Sequence, residues 1–211
     1  YLIIALWILI GFLGYQTYMS IYEPIQFNQV KNKRYETIIK SLIDIRDSEL
    51  AYKQVRGKFT DNFDDLVKFI ETDSFAITEV KNIVVTEQRG RITIDVEKRV
   101  VDTVGFEMVK NSFEGRDYKG MMNVPGTDSK FELKTGSVEK VQGVLASVFE
   151  AKVDKSVVLD GMNKDLIRQE KEALGGVNVP GEYIAVGSLE DVNSNGNWPP
   201  FYDGSKEESD N

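Results

Sequence analysis

Few residues in this chain could carry chemistry, and their types narrow the field before spacing is considered. The 211 residues include no histidine and no cysteine. Serine triads, Cys-His dyads and zinc hydrolase sites are therefore absent in their usual forms, and disulfides are excluded. Carboxylates, lysines and tyrosines remain. The sharpest pattern among them is Asp191-Val192-Asn193-Ser194-Asn195-Gly196. It places oxygen ligands at the first, third and fifth positions and a glycine at the sixth, as the opening of a calcium loop does. The twelfth position is Tyr202, where a bidentate Glu belongs, and Asn195-Gly196 is equally an ordinary turn former.

Acidic pairs elsewhere have plainer explanations. Asp64-Asp65 suits a helix N-terminus and Glu207-Glu208 a solvated tail, while Glu170-Lys171-Glu172 reads as a solvated helix face. No Walker pattern and no G-x-G-x-x-G loop offers a phosphate cradle. The expectation is a chain with no catalytic residue, no metal ligand and no cofactor. The aromatic run Trp198-Pro199-Pro200-Phe201-Tyr202 either covers the sheet or forms a contact patch, since aromatics favour interfaces. Lys and Arg total 26 against 34 Asp and Glu, a formal charge of −8. Such a surface repels phosphate backbones, so nucleic acid is not an expected partner.

The elements that must position these residues begin with an uncharged N-terminal stretch. Leu2, Ile3, Ile4, Leu6, Trp7, Ile8, Leu9, Ile10, Phe12 and Leu13 form its apolar body, and no charge occurs before Glu23. A helix crossing a bilayer needs about 20 such residues. Tyr15, Tyr18 and Tyr22 fall where an aromatic belt belongs. A signal peptide would need a small-residue cleavage site, and Tyr18-Met19-Ser20 is a poor one. The first residue is Tyr1 rather than Met, which leaves room for residues upstream. Lys31, Lys33 and Arg34 follow the anchor, and by charge alone they favour the cytoplasmic side for the domain.

Glu23-Pro24 is expected to interrupt the first helix with a kink. A second helix follows by period, with Tyr35, Ile38, Ile39, Leu42, Ile43 and Ile45 at three- and four-residue spacings, and Gly57 as its stop. Its apolar stripe needs a partner. Either this chain's own domain covers it, or Tyr35, Ile38, Ile39, Leu42 and Ile45 meet a partner helix. Thr60 or Asp61 is expected to cap a further helix burying Leu66, Val67, Phe69 and Ile70. Alternating strands are expected near residues 75–77, 83–85, 92–96, 131–133, 148–153 and 183–186. Turns belong at Arg89-Gly90, Pro125-Gly126 and Gln142-Gly143, with a short helix or loop near 106–115. An exposed helix is expected from Asn163 to Leu174, ended by Gly175-Gly176.

The fold class is thus α+β: an N-terminal transmembrane helix continuing into an amphipathic helix, then a mainly antiparallel β-sheet domain with short helices. The expected divisions are an anchor at 1–22, an amphipathic spine at 23–57, a soluble domain at 58–203 and a disordered tail at 204–211.

One segment carries a resemblance. The helix runs through Arg46, Ala51-Tyr52 and Gly57-Lys58-Phe59 and is followed by Asp65-Leu66. This resembles the N-terminal third of type IV pilins and type II secretion pseudopilins, over roughly residues 1–70. There a spine helix with an R-x-A-x-x-A-Y pattern precedes an antiparallel sheet. The chain departs from that pattern at Ala5, where processed pilins carry a membrane-buried glutamate, and it shows no prepilin-peptidase site. The resemblance implies a single-pass protein of the bacterial inner membrane with a periplasmic domain. Its expected partners are membrane lipid and other envelope subunits or further copies of itself, in a secretion, pilus-like or motility assembly. The alternative expectation is a membrane-tethered domain that binds a small ligand or calcium.

Overall fold

The computed structural model describes residues 1–89, 92–141 and 143–203. The turn expected at Arg89-Gly90, the Gln142 part of the next loop and the tail from Gly204 to Asn211 lie partly or wholly outside them.

A single helix, α1, runs from Leu2 to Arg56. At 1.5 Å per residue it is about 80 Å long. Pro24 lies inside it, and the helix is not interrupted there as the sequence suggested. Proline forfeits the bond its N–H would make to the carbonyl of Ser20, a local penalty of about 3 kcal/mol. Contacts close to Pro24 offset it. Asn163 Nδ2 donates to Glu23 Oε1 at 2.7 Å, and Phe27 is buried one turn later. At the far end Gly57 takes the left-handed conformation (φ 76°), and its N–H bonds to the carbonyl of Lys53 at 2.8 Å. That φ is open to glycine and strained for a residue with a Cβ, which is why the helix stops there.

The chain then wraps the distal half of α1. Helix α2 (Phe63–Thr72) is capped by Asn62, whose side chain accepts from the N–H of Asp64, rather than by Thr60 or Asp61. It buries Leu66, Phe69 and Ile70, with Phe69 edge-on to Tyr52 of α1 at 5.1 Å. Two long strands follow, β1 (Ser74–Arg89) and β2 (Ile92–Met108), paired antiparallel as a two-stranded ribbon. The sequence had suggested shorter strands here. The strand continues through Phe106 to Met108, and a 3-10 turn at Val109–Phe113 returns the chain to the core. The segment from 114 to 131 straps α1, with Arg116 bridging Asp44 at 3.2 Å and Asp47 at 2.7 Å.

A second sheet, β3 (Glu132–Val141), β4 (Val144–Asp154) and β5 (Tyr183–Gly187), is antiparallel in the order β3-β4-β5. Between β4 and β5 lie the short helices α3 (Lys155–Val158) and α4 (Lys164–Lys171). Phe149, Ala151 and Val153 of β4 and Ile184 and Val186 of β5 are buried in the core that also holds Tyr35, Ile38, Ile39, Leu42 and Ile45. The architecture is α+β, with α1 as the buried spine of the domain.

Truncating Leu42, which is fully buried, removes methylene groups from the centre of this core. The expected outcome for Leu42→Ala is a loss of about 2–5 kcal/mol, measured by chemical denaturation of the full chain in detergent micelles.

Candidate functional site

Two regions of α1 behave as different materials. In the first, Ile3, Ile4, Leu6, Trp7, Ile8, Leu9, Ile10, Phe12 and Leu13 are each more than half exposed, and nothing among the described residues covers them. The Leu2 side chain lies outside the described residues. Tyr18 and Tyr22 stack with ring centres 5.5 Å apart, at the last turn before the first charge. By length and composition this is one helix that could span a membrane. A helix apolar on every side and bare of protein requires an apolar surrounding.

In the second region the same helix is enclosed, and its one buried cation meets a buried carboxylate. Lys31 and Glu170 are each about 6% exposed at the side chain, and Lys31 Nζ donates to Glu170 Oε2 at 2.9 Å and to Asn178 Oδ1 at 3.2 Å. Lys155, fully buried, stands 3.5 Å from Glu170 Oε1 and donates to the carbonyls of Glu170 (2.6 Å) and Val179 (2.7 Å). Burial lowers the Lys155 pKa, and the Glu170 carboxylate opposes that shift. The Tyr35 hydroxyl donates to Glu170 Oε1 at 3.5 Å, and burial followed by the Glu170 charge pushes its pKa far up. Tyr202 packs against Tyr35 with ring centres 6.3 Å apart, and its hydroxyl donates to Asn32 Oδ1 at 3.0 Å. Burial pushes its pKa up to about 12. One carboxylate thus ties α1, α3 and α4 together, with the 3-10 turn at Pro200–Asp203 packed alongside.

This corrects the reading of Glu170-Lys171-Glu172 as a solvated face. Glu170 points inward because α4 is amphipathic in the sense that matters here: its buried position holds a carboxylate facing two lysines. Lys31 was expected to be a flanking surface cation, and it is neutralised inside the fold. Arg34 is similarly committed, donating to the carbonyls of Val158 (2.8 Å) and Asp160 (3.0 Å) at the end of α3.

A second correction concerns Tyr35, Ile38, Ile39, Leu42 and Ile45. They are at most 1% exposed and belong to this chain's own core. A partner helix has no access to them, because the sheet, α2 and the strap already cover that stripe. The aromatic run divides: Trp198 is buried in the core while Phe201 is half exposed.

The loop at Asp191–Gly196 forms a hydrogen-bonded turn. Asn193 Oδ1 accepts from the N–H of Asn195 at 2.9 Å, and the N–H of Asn193 bonds to the carbonyl of Asp191 at 2.8 Å. Gly196 has a reason of its own, since a Cβ there would overlap the Trp198 ring. Among the described residues no group of three or more acidic side chains could hold a metal ion. A cleft of about 700 Å³ lies between α3 and α4, lined by residues including Asp160, Lys164, Arg168 and Lys171. Two of its cations are already paired, Arg168 with Asp165 at 3.0 Å and Lys171 with Asp154 at 3.1 Å.

Sequence reasoning also missed Glu49. It is fully buried, its Oε2 accepts from the N–H of Thr60 at 3.2 Å, and Oε1 has no hydrogen-bond partner. Burial, only partly opposed by the Thr60 bond, raises its pKa to about 8. A carboxyl at i+4 from Ile45 on an otherwise apolar face was the available signal.

No family model, no curated protein and no solved structure matches this chain.

Two outcomes follow from the buried carboxyls. Glu170→Ala strands two buried ammonium groups and is expected to lose about 3–5 kcal/mol, whereas Lys31→Met, which leaves Glu170 paired to Lys155, loses less; denaturation curves of the two variants measure the difference. Glu49 has a folded-state pKa above its unfolded value. Its stabilising contribution is therefore complete below pH 4.5 and is lost as pH rises to about 8. Thermal melts from pH 4 to 9 should show wild-type stability falling through that window relative to Glu49→Gln, with no further divergence above it.

Proposed function

We propose that this chain is a non-enzymatic, single-pass structural subunit of a bacterial envelope assembly of the secretion, pilus-like or motility kind. In this reading residues 1–22 lie in the inner membrane and the domain lies in the periplasm. The observation that carries it is the continuity of α1: the bare apolar helix and the buried spine of the domain are one uninterrupted element. A flexible tether would suffice to keep an enzyme or a receptor near a membrane. A helix fused into the core instead fixes the domain's attitude to the bilayer, which a load-bearing or docking subunit requires.

The periplasmic side draws support from the fate of the basic residues after the anchor. Positive-inside reasoning reads Lys and Arg beside a membrane helix as a mark of the cytoplasmic side, a weaker mark where the fold itself uses those cations. Lys31 is held by Glu170 and Arg34 by two carbonyls, while the Lys33 side chain has no such partner among the described residues. Two of the three cations that favoured the cytoplasm thus have a use of their own in the fold, which supports the periplasmic reading. The absence of histidine and cysteine from the sequence supports the non-enzymatic part.

A single cysteine tests the topology, because the chain has none of its own. Leu174 is fully exposed in the loop after α4. In cells with a permeabilised outer envelope and an intact inner membrane, Leu174→Cys is expected to react with a membrane-impermeant maleimide. Labelling only after lysis would place the domain in the cytoplasm. Affinity purification from gently solubilised membranes is expected to recover the chain with other subunits, and recovery as a lone monomer would sink the assembly reading.

A further inference from the structure

The ribbon of β1 and β2 is the least satisfied part of the fold. Its strands are 16 and 17 residues long, so it extends roughly 50 Å, and among the described residues no third strand pairs with either edge. A two-stranded ribbon is marginal alone in water, and a long open edge is a template for further pairing. Val80, Val84, Val101 and Phe106 are each more than two-fifths exposed along it.

The two edges differ in how their charges are met. Directly opposite residues of an antiparallel pair share a face. On one face of the ribbon Glu79 lies opposite Asp102, an unfavourable placement of like charges, and Ile83 lies opposite Lys98. On β1, Glu79 is paired with Lys81 at 3.0 Å. On β2, Asp102 and Lys98 have no ion pair or hydrogen-bonding side-chain partner among the described residues. They lie two residues either side of Val100, carry opposite charges and point to the same face.

We propose that β2 pairs antiparallel with β2 of a second copy of this chain, about a two-fold axis at Val100. The juxtaposition follows from the spacing alone. With Val100 facing itself, Lys98 of each copy stands opposite Asp102 of the other, so two cross-strand ion pairs form from four unmet charges. On the other face Arg99 stands opposite Val101 and can lay its aliphatic stem over that exposed valine. The register shift between Ile77 and Thr78 leaves Val104 as the extra residue and limits the pairing to the stretch from about Val96 to Val104. The product is a four-stranded sheet in the order β1-β2-β2-β1, in which the open edge of β2 becomes interior. This names one contact surface for the assembly reading and rests on that reading for its setting, while the pairing geometry stands apart from membrane placement.

Cysteine crosslinking of the purified full chain in detergent tests it. A residue on a two-fold axis between antiparallel strands has its Cα about 4.5–5.5 Å from its copy, within disulfide reach. Mild oxidation of Val100→Cys is expected to give a disulfide-linked dimer. Val80→Cys, on the outer strand β1 and separated from the second copy's β2 by its own β2, is expected to stay monomeric. Adding Lys98→Asp to Val100→Cys sets four carboxylates against one another and is expected to lower the crosslinked fraction roughly fivefold to tenfold. Adding both Lys98→Asp and Asp102→Lys restores the pairs and the yield. Failure of Val100→Cys to crosslink, crosslinking of Val80→Cys instead, or no rescue by the double reversal overturns the proposal. Loss of self-pairing with other subunits still recovered from membranes would overturn the pairing and leave the assembly reading intact.

Discussion

Most of what folds after Arg56 returns to cover one stripe of α1. Tyr35, Ile38, Ile39, Leu42 and Ile45 recur at helical spacing, and each burial there removes apolar surface worth about 1.5–3 kcal/mol. No single layer could cover the stripe. The sheet supplies Phe149, Ala151 and Val153, α2 supplies Leu66, Phe69 and Ile70, and the strap from 114 to 131 supplies Tyr118, Met121 and Val124. The order of elements along the chain follows from this wrapping, with each segment leaving α1 and coming back to it. The β1–β2 ribbon is the exception, and it is accordingly where unpaired edges and exposed valines collect.

The polar lock around Glu170 works on a different principle. Burying three charged groups gains little net free energy, because their desolvation offsets most of their attraction. What it imposes is a large penalty for any arrangement that separates them. Lys31 lies on α1, Lys155 on α3 and Glu170 on α4, so a shift of α4 by one turn would leave a buried ion without its partner. The lock sits within two turns of Pro24, and with the Asn163–Glu23 bond it braces the helix where a backbone hydrogen bond is missing.

Much of the fold was legible in the sequence, and what was missed has common causes. Gly57 as a stop, the buried face of α2, the strands of the second sheet and Asn163 at the start of α4 all came from local rules of period, capping and turn chemistry. Glu170 and Lys31 were misplaced because a charged residue is solvated by default, and only the tertiary arrangement shows that these two face each other across 139 positions of sequence. Pro24 was expected to interrupt the helix with a kink, and α1 instead runs on as one helix through it, with the Asn163–Glu23 bond beside it. The ribbon's length was hidden because its alternation is interrupted by charges on both faces, which looks the same in sequence whether the strand is edge or interior. The stripe at Tyr35 to Ile45 was correctly seen to need a cover, but periodicity does not say whose surface supplies it.

The continuity of α1 also has a mechanical side. From Pro24 to Gly57 the helix spans roughly 50 Å, and the domain is gripped along most of it. With residues 1–22 in a bilayer, as proposed above, a tilt of about 10°, well inside what lipid thickness alone imposes, would swing the Gly57 end sideways by roughly 9 Å. Changes in membrane thickness or tension would therefore arrive at the far end of the domain as displacement, with the helix as the lever and the lipid as its fulcrum.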